Sequence, residues 1–368
     1  MTSEVYNQSK VKMWRRCQKQ YAFRYDTEPG KELVPKVKKR GLTLGGWLHQ
    51  LVEAHNREWA VQDGFDPEDV YGEREEETWV DVHNRNVLAY AQLFDEEKED
   101  LGDIPGDAER IFKAYLRFWK RERDRYRVAA LHDGTPGIEF IIEVPLPTLG
   151  AGVSFKGRLD ILLDDLELGG TWVRDYKWVK TIPTEEERMA SPQDKLYVWG
   201  MKRLGYDLRG FVYDYGRTKA PAVPRVLQRG RGISKRKNMD TTLEVYVAAL
   251  KEYYGSDWKI MAKTEYREVI KRLKGRDVLW FRREPMPVDK PARVQAMREF
   301  LGSAKQIKRR YPAANAPRSY FYSCKFNCEY HSPCVAEFQG LNIEPLLKKN
   351  YQLVSERYTE MEDLLAGG

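Results

Sequence analysis

The chain reads as an α+β protein in which helices flank a small mixed β-sheet. Three observations predict this. Apolar residues recur at helical spacing through the first third of the chain, switch to alternation over three consecutive segments, then return to helical spacing. The alternating segments, "IEFIIEVPLP", "GVSFKGRLDILLDD" and "TWVRDYKWV", are joined by the glycine-containing turns "LGAG" and "LGGT". With 368 residues, 42% hydrophobic and 32% charged, the chain suits a large core or two to three domains under a heavily charged surface.

Each element has its own signal. Ser9 is an acceptable N-cap for a helix reaching about Tyr25, with Met13, Cys17 and Tyr21 on one face. "LTLGGWLHQLVEAHNREWAV" predicts a second helix with Leu48, Leu51, Val52 and His55 as its apolar stripe, and "GDAERIFKAYLRFWKRERDRY" a third. After the three strands come a helix over 184–204, the strand "GFVYDYG", a helix near 241–255, the strand "DVLWFRRE" ended by Pro285, and a helix near 290–310. A cysteine-rich segment and a final helix close the chain. The divisions fall at 1–42, 43–135 with an acidic helical insertion, 136–216 for the sheet core, 217–240 for a basic loop, 241–316 and 317–368.

No run of about 18 apolar residues occurs, so no membrane-spanning helix is expected. The start, "MTSEVYNQSK", lacks the apolar stretch of a signal peptide, and the protein is expected in the cytoplasm, the host's if it is viral. The net charge of +7 suggests a polyanionic partner. Its distribution says more: residues 61–107 are acidic, whereas "RTKAPAVPRVLQRGRGISKRK" holds no acid and reads as a mobile loop that could order on a phosphate backbone through Arg229, Arg231, Lys235 and Arg236.

The stretch "TWVRDYKWVK" places an acid and a base two apart on a strand, so Asp175 and Lys177 face one side while Arg174, Tyr176 and Trp178 face the other. A short turn pairs this strand antiparallel with the one before it, which sets Asp160 across from Asp175. Two carboxylates brought together repel, raising the pKa of at least one, and a divalent cation relieves that repulsion. Hard oxygen ligands suit Mg²⁺ or Mn²⁺, and Lys177 beside the ion could hold or deprotonate an attacking water. Gln193 and Tyr197 follow on one helical face, and His49 lies one turn after Gly45. Four cysteines in an intracellular chain point to metal or catalysis rather than disulfides. Cys324, Cys328 and Cys334 crowd together in "SCKFNCEYHSPC", and Cys17 stands near the other terminus. Four thiolates suit a [4Fe–4S] cluster or tetrahedral Zn²⁺, with His331 as a rival ligand. The absence of paired C-x2-C knuckles favours the cluster.

The order His49, "GRLD" ending at Asp160, "DYK" with Asp175 and Lys177, then Gln193 and Tyr197 resembles the RecB-like branch of the PD-(D/E)XK nuclease superfamily. The single early Cys and late triplet are similar to its iron–sulfur members: AddB-type recombination nucleases, CRISPR-adaptation exonucleases and related phage exonucleases. The resemblance spans residues 9 to about 340. It implies that His49, Asp160, Asp175 and the carbonyl of Tyr176 bind divalent metal, that Lys177 serves the water, and that Gln193 and Tyr197 meet DNA or brace the site. Glu143 matches a further acid on the preceding strand. Two departures stand out: Leu159 replaces the superfamily's proline, and the triplet is C-x3-C-x5-C rather than C-x2-C-x5-C.

The expected function is a metal-dependent DNA exonuclease acting on single strands or DNA ends in recombination, repair or processing. A helicase or recombinase is a possible partner. A structure-specific endonuclease is one alternative, and a non-catalytic DNA-binding scaffold that kept the nuclease fold is another. The four-cysteine centre is expected to staple the termini around the sheet.

Overall fold

β5 (Val153–Asp165), the longest strand, organises a seven-stranded mixed sheet. One edge pairs antiparallel with β4 (Ile138–Pro145) and then β3 (Tyr126–Val128). Its other edge takes β1 (Glu4–Tyr6), parallel, at residues 153–155, and β6 (Thr171–Val179), antiparallel, at residues 161–164. β7 (Leu208–Arg217) runs parallel to β6, and β8 (Phe281–Met286) closes the sheet antiparallel to β7. A separate pair, β2 (Leu33–Pro35) with β9 (Tyr351–Leu353), joins the two ends of the chain. The computed structural model describes residues 4–26, 31–36, 39–228, 232–287, 289–310 and 312–355.

Each face of the sheet buries a core. On one side pack α1 (Gln8–Arg16), α6 (Gln193–Arg203) and α8 (Lys290–Lys308), against Phe155, Leu159, Val173 and Phe211. On the other lie α3 (Arg40–Gln62), α4 (Trp79–Ala91) and α5 (Ile104–Phe118), over Ile161, Leu163, Tyr176 and Phe281. Leu48, Leu51 and Val52 bury into this second core as their spacing predicts, while His55 is half-buried. Residues 218–280 leave the sheet between β7 and β8 and form a lobe with its own core, in which α7 (Leu243–Tyr254) is the longest helix.

Several elements differ from expectation. The first helix starts after Asn7, whose side chain accepts from the Lys10 N–H, and not at Ser9. It breaks at Cys17, which takes an extended conformation, and α2 (Gln18–Tyr25) follows. The helix over 184–204 is two helices, Glu185–Met189 and α6, because Pro192 has no N–H and disfavours helical geometry at Ser191. The third helix stops at Phe118, and Tyr126 already belongs to β3. β8 begins at Phe281 and includes Pro285, which an edge strand tolerates. The 217–237 segment is not a free loop. Val226 bridges to Ile233, which is fully buried in the lobe core and donates its N–H to Tyr266 at 2.8 Å. Arg229 and Arg231 lie outside the described residues.

Candidate functional site

The β5–β6 ladder ends at the Ile161–Arg174 pair, so the next pair in that register is Asp160 opposite Asp175. Instead of a backbone bond there, Asp160 Oδ2 accepts the Tyr176 N–H at 2.6 Å. Between this point and β1, residues 156–160 on that edge of β5 pair with no described strand. The sheet is therefore open beside Asp160.

Both strands on the other side of Asp160 change phase at the same level. Phe140 and Ile142 face the α6 core and Val144 lies against Gly200 of α6, but Ile138 faces the α3 core. Leu159 and Phe155 likewise face α6, whereas Ile161 and Leu163 face α3. The register is unbroken across this switch, since Ile138 pairs with Ile161 and Phe140 with Leu159. The residues at the switch are Glu139 and Asp160. Glu139 has φ of 49°, the one positive φ among described non-glycine residues. Strain of this kind concentrates at functional sites.

Lys177 and Asp175 share a face, and the Lys177 ammonium forms an ion pair with Asp175 Oδ2. That oxygen is buried and accepts no directed hydrogen bond. Asp175 Oδ1 accepts from Gln193 Nε2 at 3.0 Å. Gln193 is the first residue of α6, so the break at Pro192 is what aims it at Asp175. Tyr197, one turn on, packs over Gly157: a Cβ there would stand 2.9 Å from its ring, which explains the glycine of "GRLD". His49 comes from α3 and is half-buried. One turn further, Glu53 faces the same region, held by Arg57 at 2.9 Å.

The electrostatics follow from burial. Desolvation pushes Asp175 up to about 6 against the pull of Lys177, and raises Asp160 as well. Burial opposes the charge on Lys177, but Asp175 and Asp160 prevail and its pKa is raised, leaving it an ammonium. Burial, then Lys177, lowers His49 to about 4, so its imidazole is neutral at pH 7. Glu139 rises to about 8 through burial and the nearby Asp160, although Arg158 pairs with it at 2.6 Å. The donor set of carboxyl oxygens plus one neutral imidazole fits a hard divalent ion. Tyr176 turns its N–H to this edge, and strand geometry turns its carbonyl the same way. Among the described residues no three His, Cys, Asp or Glu side chains stand close enough to ligate one metal as they are placed; the Lys177 ammonium holds the charge of Asp175 instead.

Glu143 lies elsewhere. It is exposed four residues along β4, about 13 Å from Glu139 at strand spacing, and accepts from Ser154 Oγ at 2.6 Å. The acid beside Asp160 is Glu139. The sequence offered a signal for it, since Glu139 opens the same alternating segment. Glu53 was also legible as i+4 from His49.

The four cysteines line one small cavity of about 30 Å³. Cys17 reaches it because the helix breaks there, and its Sγ accepts the Ser319 N–H at 3.5 Å. Cys324 Sγ accepts the Phe321 N–H at 3.3 Å. Burial raises the thiol pKa of Cys328 and Cys334, and Cys17 adds to both. His331 lines the same cavity. The module has its own core of Phe23, Leu33, Tyr330, Tyr351 and Leu353, drawn from both ends of the chain. Of the predicted basic residues, Lys235 pairs with Glu265 at 2.5 Å and Arg236 is exposed. No helix among the described residues is long and apolar enough to cross a membrane.

Residues 6–335 match the family model of the PD-(D/E)XK nuclease superfamily. No curated protein matches the chain.

Proposed function

The chain belongs to the PD-(D/E)XK nuclease superfamily, and on that premise we propose that it is a divalent-metal-dependent DNA exonuclease of the cytoplasm, working on DNA ends or single strands. The observation that carries this reading is the gap in the sheet where Asp160, Asp175, Lys177 and Gln193 converge. His49, Asp160, Asp175 and the Tyr176 carbonyl would hold Mg²⁺ or Mn²⁺. The ion supplies charge neutralisation and a more acidic bound water. Lys177 carries its proton and donates to the attacking water or to a phosphate oxygen. Gln193 fixes the Asp175 carboxylate, and Tyr197 closes the site over Gly157.

Exposed aromatics support single-stranded substrates. Tyr320, Phe321, Tyr322 and Phe326 are 51% to 94% exposed beside the cysteine cavity, near Arg16 and Arg318. Bases stack on such rings without sequence preference. A helicase or recombinase would supply the ends during recombination or repair.

The cysteine cavity is read as the seat of a [4Fe–4S] cluster, with Zn²⁺ as the alternative. Four thiols around one cavity, two of them accepting backbone N–H groups, support a thiolate centre.

The test is hydrolysis of DNA labelled at either end, with Mg²⁺ or Mn²⁺ added. Stepwise release of nucleotides from one end is expected. Internal cuts alone would favour the endonuclease reading, and binding without any cleavage would favour the scaffold.

A further inference from the structure

Charge is segregated along this chain. Residues 218–280 hold 15 Lys and Arg against seven Asp and Glu, a net of +8, although the whole chain carries only +7. Residues 61–107 hold 16 acids against three bases, a net of −13. Everything outside the 218–280 lobe therefore sums to −1, because the acidic segment cancels the positive charge elsewhere. The remaining 258 residues carry +12, so a polyanion is repelled by the acidic segment and meets its densest positive charge on the lobe.

The lobe is a folded unit. Ile233, Tyr246, Leu250, Tyr266, Val269 and Leu273 make its core, and the Tyr254 and Tyr266 hydroxyls meet at 2.8 Å. Its exposed cations include Lys251, Lys259, Lys263 and Lys271, which make no ion pair among the described residues. Lys251 and Lys259 lie over the Trp258 ring, 4.8 and 6.0 Å from its centroid, while Lys263 and Lys271 are free of such contacts among the described residues. The lobe is also rooted at the active end of the sheet. Lys177 pairs with Tyr215 and Val179 with Arg217, after which the chain departs into the lobe. Thr218 N–H donates to the Val179 carbonyl at 2.9 Å, and Arg217 bonds Asp240 at 3.2 Å. The root is two residues along β6 from Lys177, about 7 Å.

We propose that this inserted lobe is the DNA-holding arm of the protein: its lysine-bearing helices grip the phosphate backbone, without reading sequence, next to the site where hydrolysis occurs. The inference rests on DNA being the substrate. It extends the binding surface from the 217–237 segment to the helical face of the lobe, and it assigns affinity to the lobe and cleavage to the sheet.

The test measures binding of a fluorescent duplex by the full chain, without divalent metal, across a range of salt. Neutralising Lys251, Lys259, Lys263 and Lys271 together to Gln should flatten the slope of log K against log salt by about 3 to 4, near 0.9 for each phosphate left without its lysine. A control with Lys12, Lys202, Lys305 and Lys348 changed to Gln removes the same charge from other exposed positions. It should leave the slope within about 1 of the parent. An unchanged slope in the lobe variant, or an equal flattening in the control, overturns the proposal. Both proteins are checked for unaltered thermal unfolding. If the parent binds DNA with a steep slope yet cleaves none with Mg²⁺ or Mn²⁺, the nuclease reading fails while the arm stands. If the parent does not bind DNA at all, both fail.

Discussion

Asp160 Oδ2 lies 2.6 Å from the backbone nitrogen of Tyr176, a side chain taking the place of a ladder bond between two strands. This single contact does two things. It keeps β5 and β6 in register up to Ile161 and Arg174, and it parts them beyond, where the candidate metal ligands stand. Replacing Asp160 with Ala therefore removes a ligand and a strand anchor together. Cleavage in end-labelled assays should fall to background while DNA binding persists. Lys177→Ala keeps the anchor and should lose about 10²- to 10³-fold in rate, the usual cost of one donor at a developing charge. Full activity in either variant would rule out the proposed roles.

Glu139 offers a test of strain. Elsewhere in a strand, Gly is less stable than Ala by about 0.5–1 kcal/mol. At a φ of 49° a side chain costs about 1–2 kcal/mol, so the order should reverse. Glu139→Gly should unfold at higher denaturant than Glu139→Ala, and both should lose activity if the carboxyl serves the site. Equal or lower stability of the Gly variant would show that Glu139 is not strained.

Much of this arrangement was legible in the sequence, for physical reasons that can be named. Alternation marked β4 because one of its faces is buried and the other exposed, and the short "LGGT" turn set Asp160 against Asp175. Helical spacing set Gln193 and Tyr197 on one face. The phase switch at Glu139 and Asp160 was not legible, because both strands turn together and no register slip marks it. The break at Cys17 brings its thiol to Ser319, some 300 residues away, and no local signal announces it. β1, β2 and β9 are three residues each and exist only through distant partners. The break at Pro192 is different: the proline was visible, and it outweighs the helical pattern around it.

Gly157→Ala should act on Tyr197. The added Cβ would sit 2.9 Å from that ring and 3.3 Å from Ile142, so the tyrosine must move or the strand must shift. Overpacking of this size costs about 1–3 kcal/mol. Cleavage should drop further than stability alone predicts, because Tyr197 and Gln193 share a helix face. Activity retained at temperatures where the variant stays folded would remove Tyr197 from the site.

Glu122 carries a pH prediction. It sits between Arg174 and Arg283, the latter at 2.8 Å, and Arg283 also bonds Asp214 at 2.7 Å. Burial alone would raise its pKa, but the two guanidinium groups bring it down to about 2. A depressed carboxyl stabilises the fold fully above its unfolded value of about 4.5. That contribution is lost as pH falls from there through about 2. Glu122→Gln should cost about 3–5 kcal/mol at pH 7, as expected when one partner of a buried pair is removed. The difference from the parent should shrink toward pH 2. A difference that does not change with pH would mean that folding does not depress the Glu122 carboxyl.

The cysteine module makes the last prediction. Cys17, Cys324, Cys328 and Cys334 reach one cavity from opposite ends of the chain, around a core that both ends share. If they hold a [4Fe–4S] cluster, protein purified without oxygen should be brown and carry about four irons per chain, with a broad band near about 400 nm. A centre joining Cys17 to the triplet closes a loop of some 300 residues, which constrains the unfolded chain by several kcal/mol. Because β2–β9 and the aromatic core already tie the same ends, Cys17→Ala should lose colour and some stability without unfolding at room temperature. Cleavage should survive wherever the variant remains folded, since Asp160, Asp175 and Lys177 belong to the sheet and not to this module. A colourless protein with one tightly bound zinc would replace the cluster with a Zn²⁺ site and leave the nuclease reading intact. Metal-free protein of undiminished stability would show that the four thiols serve no centre at all.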